Sequence, residues 1–458
     1  MNRGMTLYKL GVIGLLILLL LIPLMMIDGL IQDRQNRRNE VLHDIARSSS
    51  FSQQLTGPLL IVPYRKNTRV WKLNAESQQR YLDTVEERGR LYFLPEHFEL
   101  NGTVQTEVRA RGIYEARLYH ADNQIKGHFV LPRHFGLEDD FDSYQFDEPF
   151  LAVGISDVRG IENALKLRLN GEELDFVPGT HVPLLGEGVS AALPVESGAD
   201  QSRLDFAFDL RLQGTGQLQV TPVGKSSTVN LSADWPHPSF FGNYLPTRRE
   251  VSEKGFTASW QSSFFSTNLQ ETLNRCTADQ VCQEFKDRSF GVSFISPVDQ
   301  YLKADRSIKY SLLFIWLTFA GFLLFEVLRG LAVHPVQYAL VGASLALFFL
   351  LLLSLSEHLG FGRAYLLSAA ACVALIGFYV CHVLGNVVLG LGFGLGLAIL
   401  YALLYGLLSA EDYALLMGSL LLFGLLMLFM VLTRKLDWYA ILQRAARAPE
   451  VPIEVNHE

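Results

Sequence analysis

Apolar residues fall into long unbroken blocks at the two ends of this chain and into short alternating runs between them. Residues 10–27 carry no Asp, Glu, Lys or Arg, nor do 310–325, 330–356, 364–410 or 413–433. A bilayer core takes about 20 apolar residues per helix, so 364–410 is long enough for two. The pattern predicts six transmembrane helices, at about 8–28, 308–328, 336–356, 363–383, 387–408 and 412–433.

Between the first and second blocks the period changes. Residues 29–50 set Ile31, Val41, Leu42 and Ile45 among charges, which predicts an amphipathic extension of the first helix. Beyond it, 59–64, 102–119, 127–131, 164–169, 204–213, 216–221 and 227–233 read as strands, broken by turn signals. Asn170-Gly171 between two such runs predicts a hairpin, and 269–285 reads as a helix. The expected fold class is a bundle of six transmembrane helices with a β-rich, sandwich-like α+β domain inserted between helices one and two. The expected boundaries are 1–30 for the first span, 31–307 for the domain, 308–433 for the five-helix bundle and 434–458 for a tail.

Charge sharpens this division. The chain has a net charge of −7, and residues 31–307 hold 30 of its 39 Lys/Arg and 37 of its 46 Asp/Glu. An acidic domain has no electrostatic footprint for nucleic acid. The basic start (Arg3, Lys9) resembles a signal peptide, but the apolar run is long and Met25–Asp28 lacks a small-residue cleavage site. An uncleaved signal anchor is expected. Arg329, Arg434, Lys435, Arg444 and Arg447 mark the cytoplasmic side by the positive-inside rule. Both termini are then cytoplasmic and 31–307 lies outside the cytoplasm. Arg34, Arg37 and Arg38 run against that rule. Outside the cytoplasm, Cys276 and Cys282 are candidates for a disulfide; Cys372 and Cys381 read as packing residues in a span.

The search for chemistry returns little. The sequence has no GxSxG elbow, HExxH pair or phosphate loop, and its histidines lack metal-ligand spacing. No catalytic residue, metal site or cofactor is expected. The ionisable residues of the apolar region are Glu326, Glu357, His358, Arg363 and His382. All lie near expected helix ends, where interfacial placement is the plain reading. The fifth helix holds Gly390, Gly392, Gly394 and Gly396, two interleaved small-xxx-small pairs. Packing within the bundle is the plain reading of them and a homo-oligomer the sharper one.

Several segments resemble the CreD family of bacterial inner-membrane proteins: LTGPLLIVPY (55–64), RARGIY (109–114), VGISDVRGI (153–161), FVPGT (176–180) and three long stretches at 235–260, 290–319 and 334–361. The resemblance implies a Gram-negative inner-membrane protein of cell-envelope integrity and stress response. Family members belong to a regulon linked to β-lactam challenge and are associated with colicin tolerance. No catalytic residues are established for the family, so none carries over. Within the shared segments, Arg248, Arg249, Trp260, Asp299, Tyr301 and Asp305 are expected at a junction between domain and membrane. The expected function is non-enzymatic, exercised through the exported domain on the lipid bilayer and an envelope protein or lipid partner. The alternative is an insertase or a lipid or peptide transporter, since the YidC insertase shares the layout of one helix, a β-rich domain and five helices. That is analogy of layout alone.

Overall fold

The computed structural model describes residues 3–73, 80–137, 141–194, 202–279, 283–294, 299–329, 333–409 and 414–434. Its contacts divide the chain into two units, Met1–Asn39 with Val298–Glu458, and Glu40–Pro297. The divisions fall inside the expected limits of 31 and 307, so 31–39 and the helix Gln300–Lys309 go with the helical unit. The expected tail, 434–458, lies almost wholly outside the described residues.

In the helical unit, four of the described helices are long and apolar enough to cross a membrane: Gly11–Ser48, Pro335–Leu359, Phe361–Leu384 and Val387–Ser409. They are five if Gln300–Lys309 and Ser311–Leu324, bent by 46° at their junction, form one span. The segment expected to give the sixth is also helical, Ala414–Thr433. The first helix runs unbroken from Arg3 to Ser48, so the amphipathic stretch does extend the apolar one. It buries Ile13, Leu20, Leu24, Ile27 and Ile31, a stripe at seven-, four- and three-residue spacings that follows one helical face. Gly342 lets it close on Pro335–Leu359, because a Cβ there would sit 2.3 Å from Leu20 Cδ1 and 2.8 Å from the Phe319 ring.

Local chemistry sets the helix ends. His334 caps Pro335–Leu359, accepting from Val336 N at 3.3 Å, with Pro335 at the first helical position. Gly385 closes Phe361–Leu384 in the left-handed region at φ 60°. Asn386 then accepts from Val388 N at 2.9 Å and Leu389 N at 3.3 Å, starting the next helix.

The other unit is built on two sheets of nine and eight strands. One runs Ser239–Gly242, Phe290–Ser293, Gln217–Thr221, Gln53–Leu73, Phe150–Ile155, Gly188–Ala192, Val177–Pro178, with Arg80–Phe93 and Tyr144–Phe146 also paired to Gln53–Leu73. The second runs Arg248–Ser252, Gly255–Ser263, Ser226–Ala233, His97–Arg111, Tyr114–Leu131, Ser202–Thr215, Lys166–Leu169, Glu172–Asp175. Asn170-Gly171 makes the tight turn between the last two, both at positive φ. Strands alternate buried and exposed positions, as in His97–Val104, and one apolar cluster draws on both sheets. Trp260 of the eight-stranded sheet stacks on Phe290 of the nine-stranded one at 5.0 Å. Tyr119 Oη donates to the Gln217 carbonyl at 2.6 Å. This is the sandwich the alternation calls for.

Candidate functional site

The polar residues of the helical unit gather at two levels of the first helix. At the lower level Lys9 pairs with Glu326, whose side chain is 3% exposed. Tyr338 Oη donates to the other carboxylate oxygen at 2.9 Å, and Val333 N donates to the first at 3.3 Å. At the upper level Arg38 Nη1 reaches Asp299 Oδ2 at 2.8 Å, and Arg34 Nε lies 3.6 Å from Glu357 Oε1. Tyr301 Oη donates to the same oxygen at 3.1 Å. Asp299 also caps the helix Gln300–Lys309, accepting from Tyr301 N at 2.9 Å and Leu302 N at 3.5 Å.

The two levels are a membrane apart. Lys9 and Arg34 are separated by 25 helical positions, about 38 Å, and Tyr338 and Glu357 on Pro335–Leu359 by 19, about 28 Å. These spacings bracket the roughly 30 Å hydrocarbon core and stay within its headgroup layers. The first helix is thus stapled to its neighbours at both edges, and the upper staple joins the two segments that lead into and out of residues 40–297.

Glu326, expected at a membrane interface, is enclosed within the helical unit. It does not reach out to water; it is buried and satisfied by a cation, a phenol and a backbone N–H, because a lone carboxylate among apolar helices is too costly to leave unpaired. Glu357 is half-buried and paired, while His358, Arg363 and His382 are exposed near helix ends. His382 Nδ1 lies 2.9 Å from the Phe378 carbonyl.

The six expected junction residues divide between the units. Asp299, Tyr301 and Asp305 belong to the helical one, where Asp305 pairs with Lys309 at 2.6 Å. Arg248 and Arg249 lie on the exposed edge strand Arg248–Ser252 of the eight-stranded sheet. Trp260 is 1% exposed in the core, between Phe240 and Phe290. Its place among the shared segments reflects packing. Cys276 is disulfide-bonded, whereas Cys282 lies outside the described residues; Cys372 and Cys381 are free.

The glycines also divide. A Cβ at Gly390 would sit 2.2 Å from Cys381 Sγ, and one at Gly394 would sit 3.8 Å from Gly377 Cα, so this pair seats the helix Phe361–Leu384. Gly392 and Gly396 face open space.

In the β unit a second polar cluster receives the end of the first helix. Asp157 accepts from Phe51 N at 3.0 Å and holds Arg159 Nη2 at 2.6 Å. Arg159 Nη1 donates to the Arg47 carbonyl at 2.8 Å, covering the last turn of the helix. Gln53 Nε2 donates to the Asp157 and Gln213 carbonyls, both at 2.9 Å. Gly160 must be glycine here: a Cβ would lie 2.3 Å from the Gln213 oxygen. The hydrogen bonds from Arg159 hold the Asp157 carboxyl below the usual carboxylate range. The segment VGISDVRGI is therefore a socket for a helix end. On the sheet surface, His120 lies 3.0 Å from Glu162 and 3.3 Å from Glu107. Glu162 first, then Glu107, raises its pKa. Among the described residues no group of three His, Cys, Asp or Glu is arranged to hold a metal ion.

Comparison with known proteins matches this architecture to one family. The model of the family "Inner membrane protein CreD" covers residues 5–439. Inner membrane protein CreD of Escherichia coli (strain K12) is 38% identical over 426 residues, 93% of this chain and 92% of its own. An M1 zinc metallopeptidase from Deinococcus radiodurans, solved with a Tyr-Ser-Ala substrate, aligns over 37% of this chain and 39% of its own at 12% identity. Its TM-score of 0.18 carries no argument. A family match across both the apolar helices and the β-rich unit shows that this chain belongs to the CreD family of inner membrane proteins.

Proposed function

We propose that this protein is a non-enzymatic factor of cell-envelope integrity and stress response. On this reading a β-rich domain outside the cytoplasm meets an envelope protein or lipid, and its state is coupled to a six-helix membrane bundle. The carrying observation is the upper staple. Arg38–Asp299 and Arg34–Glu357–Tyr301 tie the outgoing helix, the returning helix and the bundle at one level. The unbroken helix Arg3–Ser48 ends in a matching socket at Asp157 and Arg159. A continuous helix fixed at both ends passes on a displacement that a loose linker would absorb.

The same pairs support the orientation with both termini cytoplasmic. Arg34 and Arg38 count against it only as free positive charges, and each has a carboxylate partner. The transporter alternative would use the 670 Å³ groove beside Tyr365, Tyr401 and Tyr405, whose other lining residues are Gly, Ala, Val and Leu. With no charged or amide side chain, it offers an acyl chain no more than bulk lipid does. An oligomer through the fifth helix would rest on Gly392 and Gly396, since Gly390 is used inside the bundle.

The test is complementation of a deletion strain, scored for sensitivity to detergent, colicin and β-lactam. The full chain is expected to restore tolerance, and residues 31–307 on an unrelated single-span anchor to restore it only in part. Full rescue by the anchored domain would remove the bundle from the account; no effect of the deletion would remove the envelope role.

A further inference from the structure

The outward face of the eight-stranded sheet is polar across six successive strands. Register sets Arg248, Ser259, Asn230, Asn101, Gln124 and Asp209 in one row. The next row holds Glu250, Thr257, Ser232, Thr103, Asp122 and Arg211. At about 4.8 Å per strand each row spans about 24 Å. The first five strands of the two rows line a cleft of 570 Å³.

A solvated outer face is ordinary for a largely antiparallel sheet such as this one, in which one central pair is parallel, and its flanks are ordinary. Their charges neutralise one another: Lys126 with Glu99 at 3.2 Å, Arg168 with Asp209 at 3.4 Å, and Arg211 with Asp122, which also lines one end of the cleft, at 2.6 Å. Inside the cleft the chemistry differs. Its floor is made of half-buried amides and hydroxyls joined in a chain. Ser259 Oγ donates to Asn230 Oδ1 at 2.7 Å, and Asn230 Nδ2 donates to Asn101 Oδ1 at 2.8 Å. Asn101 Nδ2 donates to Glu99 at 2.8 Å. The chain fixes which way each amide points, while each keeps hydrogen-bonding capacity in reserve. Along the rim, Gln124, Thr257, Arg248, Arg249 and Glu250 have no side-chain partner among the described residues.

We propose that this cleft binds a glycan strand bearing acetamido groups and carboxylates, the chemistry of peptidoglycan. A primary amide offers a donor and an acceptor side by side, the complement of an acetamido group. The hydroxyls and Glu250 match sugar hydroxyls, and the two unpaired guanidiniums at the edge suit a carboxylate. This assignment rests on the exported placement of residues 31–307 and names the ligand of that domain.

The test is sedimentation of the detergent-solubilised full-length protein with isolated insoluble peptidoglycan. Saturable co-sedimentation is expected, displaced by soluble N-acetylglucosamine tetramers and not by glucose tetramers, which lack the acetamide. Asn230→Ala, Gln124→Ala and the double change Arg248→Ala/Arg249→Ala should each weaken retention about tenfold, as loss of a hydrogen bond to a polar or charged group does. Gln124 and the arginines are exposed, so these variants are expected to unfold at the wild-type temperature; Trp71→Ala, at an exposed position outside the cleft, should bind normally. No co-sedimentation, equal displacement by both tetramers, or undiminished binding by the exposed variants would overturn the assignment. Labelling of an exposed Lys254→Cys in whole cells by an impermeant thiol reagent separates the two claims. Labelling without sedimentation rejects the glycan alone; absence of labelling rejects the exported placement and the glycan with it.

Discussion

The two units of this protein use charge in opposite ways. The β unit holds most of the ionisable groups, and they form cross-strand pairs at its surface, as with Arg65 and Asp147 or Lys166 and Glu173. Solvent screens such pairs, and exposed ones contribute about 0–1 kcal/mol. The helical unit spends few charges. Lys9 with Glu326, and the upper group of Arg34, Arg38, Asp299 and Glu357, stand a membrane thickness apart on a helix that buries an apolar stripe between them. The value of an ion pair lies in where it sits, and a non-directional apolar stripe gains its register along the membrane from such pairs.

That contrast can be broken at several points. The largest expected effect is at Glu326. Changing Lys9 to Met alone leaves a buried carboxylate short of its cation and should cost about 3–5 kcal/mol, seen as a lower unfolding temperature in detergent or lower membrane abundance. The double change Lys9→Met/Glu326→Leu should recover most of that loss. If Lys9→Met alone is harmless, the lower staple has no energetic role.

In the β unit, the comparable loss should come from apolar packing instead. Trp260→Ala removes a side chain wedged between sheets and should cost about 3–5 kcal/mol. Asp157→Asn should follow at about 2 kcal/mol, since it weakens the charge-assisted bonds to Arg159 and Phe51 N. Because the folded Asp157 pKa is depressed, its stabilisation is present above the unfolded carboxylate value and is lost as pH falls through the folded one. The wild type should therefore lose more stability than Asp157→Asn in acid, as thermal scans against pH would show.

The two glycine pairs give a finer comparison within one helix. Gly390→Leu should disrupt the bundle, whereas Gly392→Leu should leave its unfolding temperature unchanged. A deleterious Gly392→Leu in membranes but not in detergent would place a partner on that side. The smallest effect is expected at His120. Its raised pKa stabilises the fold below the unfolded histidine value, and that contribution disappears as pH rises through the folded one. His120→Gln should flatten the pH dependence of thermal unfolding above the ordinary histidine value.

Much of this was legible in the sequence for a physical reason. Gaps between charges mark apolar helices, and two-residue alternation marks the sandwich, since each follows from burial on a fixed period. Asn170-Gly171 announces its hairpin by residue type, and both residues take positive φ. The staples were not legible, because Lys9 and Glu326 are 317 positions apart and each reads alone as a charge at a helix end. For the same reason Arg34 and Arg38 read as free positive charges, although Glu357 and Asp299 pair with them. The contact division differs from 31–307 for a related reason: 300–309 is polar enough to read as domain, yet Tyr301, Ala304 and Ile308 bury one face within the helical unit. Trp260, an aromatic in a shared segment, gave no sign of whether it packs or binds.

The central claim is that the upper staple, which ties helices within the helical unit, is needed for the proposed envelope function, and a charge exchange at Arg38 and Asp299 tests it most directly. Arg38→Asp and Asp299→Arg, each expressed in a deletion strain, should fail to restore envelope tolerance while reaching the membrane, and the two together should restore it in part, because the exchange remakes the ion pair but not the Asp299 cap on Gln300–Lys309. If each single variant restores tolerance as well as the wild type, the staple plays no part in function and the coupling account is wrong.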